Sequence, residues 1–151
     1  HNLPMNRLTI RPLAPEDYDQ WLPLWDGNNL GQRNEDVTRN TWTRLTDRRD
    51  DQVNGLCAMR GEVMQGIVHY ILHPTTGQIH PVCYMQDVYV DPEHRRQGVG
   101  KRLVEEVTKI GAAEKWARMY WLTQDDNREA KAMYENFGIK LDFTFYVLPI
   151  S

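Results

Sequence analysis

Apolar positions recur at two spacings along this chain, and the switches between them divide it into elements. Leu8 to Pro12 alternates over a few residues and predicts a first strand. Pro15 then opens a helix with Tyr18, Trp21, Leu22 and Trp25 on one face, ended by the polar stretch "DGNNLGQRN". Asp36 to Thr46 predicts a second helix that buries Trp42 and Leu45, and the polar "DRRDDQ" after it reads as a surface loop. Val53 to Arg60 and Glu62 to Leu72 predict two strands joined by a tight turn at Gly61. Pro81 to Val90 is the next strand, stopped at Asp91-Pro92. Leu103, Val104, Val107, Ile110 and Gly111 return at helical spacing, so a helix begins near Gly98 to Gly100. Arg118 to Thr123 predicts a further strand. Asp126 to Glu129 has the D-x-x-E form of a capping box, opening a helix with Ala130, Met133, Tyr134 and Phe137 on one face and Gly138 at its end. Leu141 to Leu148, aromatic and β-branched, predicts a last strand. The order is β-α-α-β-β-β-α-β-α-β, an α/β chain.

Composition narrows the class. The 151 residues suit one domain, with residues 1–7 as a tail, "HNLP" read in part as a cloning remnant, and 8–151 as the single domain. Hydrophobic residues at 40% and charged residues at 26% are ordinary for a globular protein. No apolar run approaches the ~20 residues of a membrane span or the roughly 7 to 15 of a secretory signal, so the expectation is a cytoplasmic protein without a membrane partner. Cys57 and Cys83 are too few for a disulfide framework and are expected as free thiols. Lys plus Arg number 18 against 21 Asp plus Glu, a net charge of -3 that argues against nucleic acid as the partner.

Positive charge is nevertheless concentrated in "PEHRRQGVGKRL", residues 92 to 103. A helix start offers uncapped N–H groups and about half a positive charge, which suits phosphate or pyrophosphate. Gly98 and Gly100 bring no side chain to hold an anion away, and Arg95, Arg96 and Lys101 are placed to neutralise it. Spacing separates the known phosphate loops. A Walker A loop needs glycine where Arg95 stands and Ser or Thr where Arg102 stands, and a dinucleotide fingerprint needs a third glycine where Leu103 stands. Arg95-Arg96-Gln97-Gly98-Val99-Gly100 instead fits R/Q-x-x-G-x-G/A.

That hexapeptide resembles the pyrophosphate loop of the GNAT superfamily of N-acetyltransferases. The resemblance runs from about Leu8 to the end, in element order and in four patches: "CYMQDVYVDPEHRRQGVGKRLVEEV", "RMYWLTQDDNREAKAMYENFG", "WLPLWDGN" and "GQIHPVCY". It is nearest to the branch of histone, polyamine and amino-acid acetyltransferases. The resemblance implies a mixed, mostly antiparallel central sheet with helices on both faces. It also implies acetyl-CoA as cosubstrate, and a primary amine (a polyamine, an amino acid or a lysine side chain) as direct acceptor in a ternary complex. By the same resemblance, the backbone at Val88 and Val90 pairs with the pantetheine arm, and Gln97, Gly98, Val99, Gly100 and Lys101, flanked by Arg95 and Arg96, hold the pyrophosphate. Asn127 hydrogen-bonds the CoA arm, and Tyr134 protonates the departing thiolate. The Val88 N–H, if aimed at the thioester oxygen, would be a lone oxyanion donor.

A base is harder to place. An alkylammonium is almost wholly protonated near neutrality and must lose a proton to react. The family often keeps a carboxylate on the fourth strand, where this chain has Gln86, which cannot take a proton. Regular alternation puts Tyr84, Gln86 and Val88 on one face and Cys83, Met85, Asp87 and Tyr89 on the other. Asp87 is thus the nearest acid and faces away unless a bulge turns it, with relay through water as the alternative. His69 and His73 stand i,i+4 on a strand, not a helix, so no metal site is expected. Cys83 as a nucleophile is disfavoured by direct transfer. Trp21, Trp25 and Trp42 read as core that also edges the acceptor pocket, while Asn28-Asn29 departs from the bulky residues of close relatives and leaves the acceptor open. Asp47, Asp50 and Asp51 suit either a cation or a solvated loop. Two rival readings stand beside the enzyme: a non-catalytic CoA-binding module and a transferase for longer acyl groups. The aromatic "FTFYVLPIS" end predicts a homodimer formed through an exposed edge strand.

Overall fold

The computed structural model describes residues 7–150. The chain divides into two compact units, 1–121 and 122–151. In the first, β1 (Leu8–Pro12) leads through a 3-10 turn (Pro15–Asp17) into α1 (Tyr18–Asn28), then α2 (Glu35–Thr46), β2 (Val53–Arg60), β3 (Val63–His73) and β4 (Val82–Val90). A second 3-10 turn (Pro92–His94) precedes α3 (Val99–Glu114) and the short β5 (Arg118–Tyr120). The five strands form one sheet in chain order. β1 to β4 run antiparallel and β5 is parallel to β4.

One sheet face takes α1 and α2, through a buried cluster of Trp21, Leu24, Trp25 and Leu45 against Cys57, Met59, Met64 and Ile67. Three indoles dominate it: Trp21 stacks on Trp25 at 5.2 Å between ring centroids and meets Trp42 at 4.7 Å. The other face takes α3, whose Val99, Leu103, Val104 and Val107 are buried. Gly66 of β3 lies directly beneath Val99 and Leu103. These residues recur at three- and four-residue spacing, the stripe that a helix must bury.

α1 is anchored at its entry by charge. Arg11 donates two hydrogen bonds to Asp17, at 2.7 and 2.9 Å, and the Ala14 N–H donates a third at 2.7 Å. Asp17 is only 5% exposed. The Arg11 hydrogen bond holds its carboxyl below the usual carboxylate range, outweighing the burial that would raise it. At its other end α1 crosses β4 so closely that the Tyr89 hydroxyl occupies the place of a side chain at Gly27, and any Cβ there would collide with the ring.

In the second unit the regular element among the described residues is α4 (Arg128–Tyr134). Its cap is Asn127, whose side chain accepts from the Ala130 N–H at 3.1 Å; the expected box from Asp126 to Glu129 is replaced by a cap one residue later. The strand expected over Leu141 to Leu148 is not formed: those residues have no regular structure, and Phe143, Tyr146 and Leu148 are exposed. Aromatic and β-branched residues favour a strand only where a ladder and a packed face exist, and residues 122–150 contain no second strand of their own to supply them.

The Arg11–Asp17 pair yields a prediction about acid stability. A carboxyl held low in the folded state contributes stability above its unfolded pKa, and that contribution is lost as pH falls through the folded value. Asp17→Asn should therefore cost about 1–3 kcal/mol at pH 7 and progressively less below pH 4, measured by denaturant melts at both pH values. Equal losses at both would contradict it.

Candidate active site

β4 is paired with β3 along its length but with β5 only at Val82, Cys83 and Tyr84, opposite Arg118, Met119 and Tyr120. From Met85 to Val90 that edge of β4 has no strand partner among the described residues. Backbone N–H and C=O groups on an open edge can pair with an amide-bearing chain as they would with another strand. Val88 and Val90 lie on this stretch.

At the end of β4 the chain turns through Pro92–His94, capped by Asp91 accepting from the Glu93 N–H at 3.0 Å. Arg95 then folds back on the strand: its Nε donates to the Val90 carbonyl at 3.0 Å and its guanidinium lies 5.2 Å from the centre of the Tyr89 ring. Arg96 at φ 63° and Gly98 at φ 79° both take the left-handed conformation, curling the backbone into the start of α3 in the manner of a concave anion nest. Gly98 is the residue such a φ favours, and space is open where a Cβ would stand. No side chain caps α3, whereas Asn34 caps α2 and Asn127 caps α4. The first-turn N–H groups of a 16-residue helix are thus left for something else to satisfy, at the positive end of its dipole. Gln97 and Lys101 are exposed around them. This fits a pyrophosphate-bearing substrate such as acetyl-CoA.

The face carrying Asp87 is set by one extra residue. His69 is opposite Asp87 and Tyr70 is opposite Met85, so Gln86 is bulged out of the ladder, and it is exposed. The alternation expected for an unbroken strand is corrected accordingly. Asp87 and Tyr89 share the α1 side of the sheet with His69 and Ile67, while Val88 falls with Val68 on the α3 side. Asp87 is then held from two elements: Asn28 of α1 donates to Oδ1 at 3.0 Å, and His69 Nδ1 lies 2.9 Å from Oδ2. Trp21 Nε1 donates to His69 Nε2 at 3.0 Å. Burial raises the Asp87 carboxyl, but its hydrogen bond and electrostatic interaction with His69, together with the hydrogen bond from Asn28, outweigh it and leave it below its ordinary value. Asn28 also walls an open cavity of about 350 Å³ with Asn29, Gln32 and Asn34, backed by Trp25 and Thr38.

Asn127 and Tyr134 belong to the second unit, at the two ends of α4 and two turns apart on one side of it. Burial raises the Tyr134 phenol above its ordinary value, keeping it in the protonated form that can donate. The two thiols are free and buried, and burial pushes Cys57 up to about 11 and Cys83 up to about 12, so neither supplies a thiolate near neutrality. Asp47 pairs with Arg49 and Asp50 with Arg44, which makes that acidic stretch a self-neutralised loop. Among the described residues no group of three His, Cys, Asp or Glu side chains could hold a metal, and no helix is long and apolar enough to cross a membrane. Sequence reasoning set His69 and His73 aside as ligands, and the two have separate partners: His73 meets the Tyr120 hydroxyl at 2.9 Å. It missed His69, Trp21 and Asn28 as partners of Asp87, because that grouping depends on the β3–β4 register.

The chain is similar to known acetyltransferases in sequence and in fold. The chain is 28% identical over 146 residues to D-amino-acid N-acetyltransferase HPA3 of Saccharomyces cerevisiae, covering 93% of this chain and 90% of that protein. It is 28% identical over 134 residues to thialysine N-epsilon-acetyltransferase of Caenorhabditis elegans, covering 87% and 82%. The fold matches that of AAC(6')-Iy solved with the bisubstrate analogue CoA-S-monomethyl-acetylneamine, with a TM-score of 0.81 at 18% identity over 96% of this chain and 99% of that one. The model of the acetyltransferase (GNAT) family matches residues 15–139, and with an open β4 edge and an uncapped glycine helix start in place, the chain belongs to that family of acetyl-CoA-dependent acetyltransferases.

Proposed function

We propose that the chain transfers the acetyl group of acetyl-CoA to the primary amine of an amino acid or of a lysine-like side chain, by direct attack within a ternary complex. The observation that carries this reading is the Gln86 bulge, which brings a carboxylate, Asp87, to the α1 side of β4 beside the edge that β5 leaves open. Relatives named for D-amino acids and for thialysine support the acceptor class. So does the carboxamide-walled cavity, which shares Asn28 with Asp87 and offers hydrogen bonds to an acceptor's polar end.

Acetyl-CoA supplies an activated thioester. Gly98 to Lys101 bind its pyrophosphate through backbone N–H groups, with Arg96 and Gln97 beside them and Arg95 bracing the loop against β4. Val88 and Val90 pair with the amides of its pantetheine arm, a role that the family resemblance extends to Asn127. Asp87, held ionised, is the counter-ion for the acceptor ammonium and the first stop for its proton, which passes on to water. The free amine attacks the thioester carbon, the carbon–sulfur bond breaks, and the nitrogen releases its second proton to water as the amide forms, while Tyr134 gives its proton to the leaving sulfur and regains one from solvent. A second copy of the chain is the natural partner for the exposed Phe143, Tyr146 and Leu148 of the C-terminal segment, giving a homodimer of a cytoplasmic enzyme.

The decisive assay is thiol release from acetyl-CoA across D- and L-amino acids, thialysine, polyamines, aminoglycosides and histone-tail peptides; turnover confined to polyamines and aminoglycosides would overturn the acceptor assignment. Gly98→Glu should abolish acetyl-CoA binding by calorimetry while the melt remains cooperative, because a carboxylate would stand where pyrophosphate is bound. Undiminished binding refutes the loop's role. Tyr134→Phe should lower kcat roughly 10- to 1000-fold with little change in acetyl-CoA affinity, towards the small end because a thiolate is a modest base. Single-turnover thiol release within twofold of wild type would make Tyr134 a packing residue. Light scattering should return twice the 17.8 kDa chain mass, and a monomer would refute the dimer.

A further inference from the structure

We propose that His69 is a positioning residue for acetyl transfer, locked by Trp21 into the one tautomer that aims its Nδ1 proton at Asp87. An indole N–H can only donate, so Trp21 Nε1 at 3.0 Å makes His69 Nε2 an acceptor and puts the ring's proton on Nδ1. That proton is donated to Asp87 Oδ2 at 2.9 Å. Trp21 is fully buried and His69 is 3% exposed, so no water competes for either ring nitrogen. The imidazole also packs against the stacked indoles of Trp21 and Trp25, tilted to both, at 6.0 and 5.8 Å between centroids, which restrains its plane. Trp25 is itself pinned by its Nε1 donating to Thr38 at 2.9 Å.

The result is a chain of donors running from the helix core to the carboxylate. With Asn28 on Oδ1 and His69 on Oδ2, Asp87 has one hydrogen bond to each oxygen and one orientation that satisfies both. The lone pairs left over define where an acceptor ammonium can sit. The lock also excludes a proton shuttle through the ring. A proton taken up at Nε2 would meet the Trp21 N–H donor to donor, so His69 orients Asp87 and cannot carry its proton onward. The titratable groups that face Asp87 are His69 from β3 and Tyr84 from its own strand, while α1 contributes Asn28, which does not titrate.

This inference rests on the reading of Asp87 as the carboxylate at the acceptor amine, and the test separates the two. Steady-state turnover is measured with acetyl-CoA and thialysine, or with whichever amine of the screen above releases most thiol. His69→Phe should lower kcat about 10- to 100-fold with the acetyl-CoA KM unchanged, because the carboxylate loses its alignment. The acidic limb of its pH profile should move to higher pH, since removing a hydrogen bond to the ionised form leaves burial to raise Asp87. His69→Asn, whose side-chain N–H can occupy the place of Nδ1–H, should recover most of the rate and the wild-type limb. A purely structural histidine would lower melting in both variants without moving the limb. If Asp87→Asn retains wild-type turnover, the reading of Asp87 fails and the positioning role fails with it. If Asp87→Asn is slow but His69→Phe keeps its rate and limb, only the role of His69 is overturned. A readout independent of activity is the imidazole nitrogen–proton correlation spectrum of the wild-type protein, assigned by the signal lost in His69→Asn. It should show the proton on Nδ1, and a proton on Nε2 overturns the proposal.

Discussion

A strand shows alternate residues to opposite faces, and the chemistry of this site depends on one break in that rule. Gln86 is an extra residue in β4, bulged out between Met85 and Asp87 while β3 continues opposite them. Before the bulge, Cys83 and Met85 are buried; after it, Asp87 and Tyr89 meet α1. Were Gln86 paired in a regular ladder, the carboxylate would lie with Met85 in an apolar layer, where burial of an unpaired charge costs several kcal/mol. The bulge stands two residues after Tyr84, where β5 stops pairing. The reversal of side-chain direction and the opening of the backbone edge are therefore neighbours in one strand.

The balance of charge follows the same economy. Net charge is negative, yet α3 begins with uncapped N–H groups in a loop of basic residues, while several acidic groups elsewhere are paired with arginine. Asp17 is matched by Arg11, Asp26 by Arg33, and Asp50 by Arg44. Asp87 differs from these in that its partners are neutral donors, Asn28 and an imidazole that accepts from Trp21. An arginine there would consume the charge that attracts a cation, whereas neutral donors orient the carboxylate and leave its charge available.

Most of the architecture was legible in the sequence because it rests on local period. Alternation marked β2, β3 and β4 to within a residue or two, and the stripe of Leu103, Val104 and Val107 marked α3. The glycines at 98 and 100 marked the helix start because only small residues suit an anion-binding turn. What was not legible depends on two segments at once. A bulge is a mismatch between strands, and nothing within "CYMQDVY" announces which residue will lack a partner. The link from Trp21 to His69 to Asp87 joins three elements and needs the β3–β4 register before any of its members stands out. The misjudged last strand shows the converse: Leu141 to Leu148 has the composition of a strand, but composition states a preference that only a neighbouring ladder can realise.

The burial of both cysteines bears on how the protein can be handled. Each acetyl group taken from acetyl-CoA liberates a thiol, so a working solution of this enzyme accumulates mercaptan. Cys57 and Cys83 have no side-chain exposure, and burial raises their thiols to about 11 and about 12. They are poor partners for disulfide exchange with that product. A chromogenic thiol reagent added to the native enzyme will therefore register turnover against a quiet protein background, and storage without reductant will not couple the chain to its own leaving group.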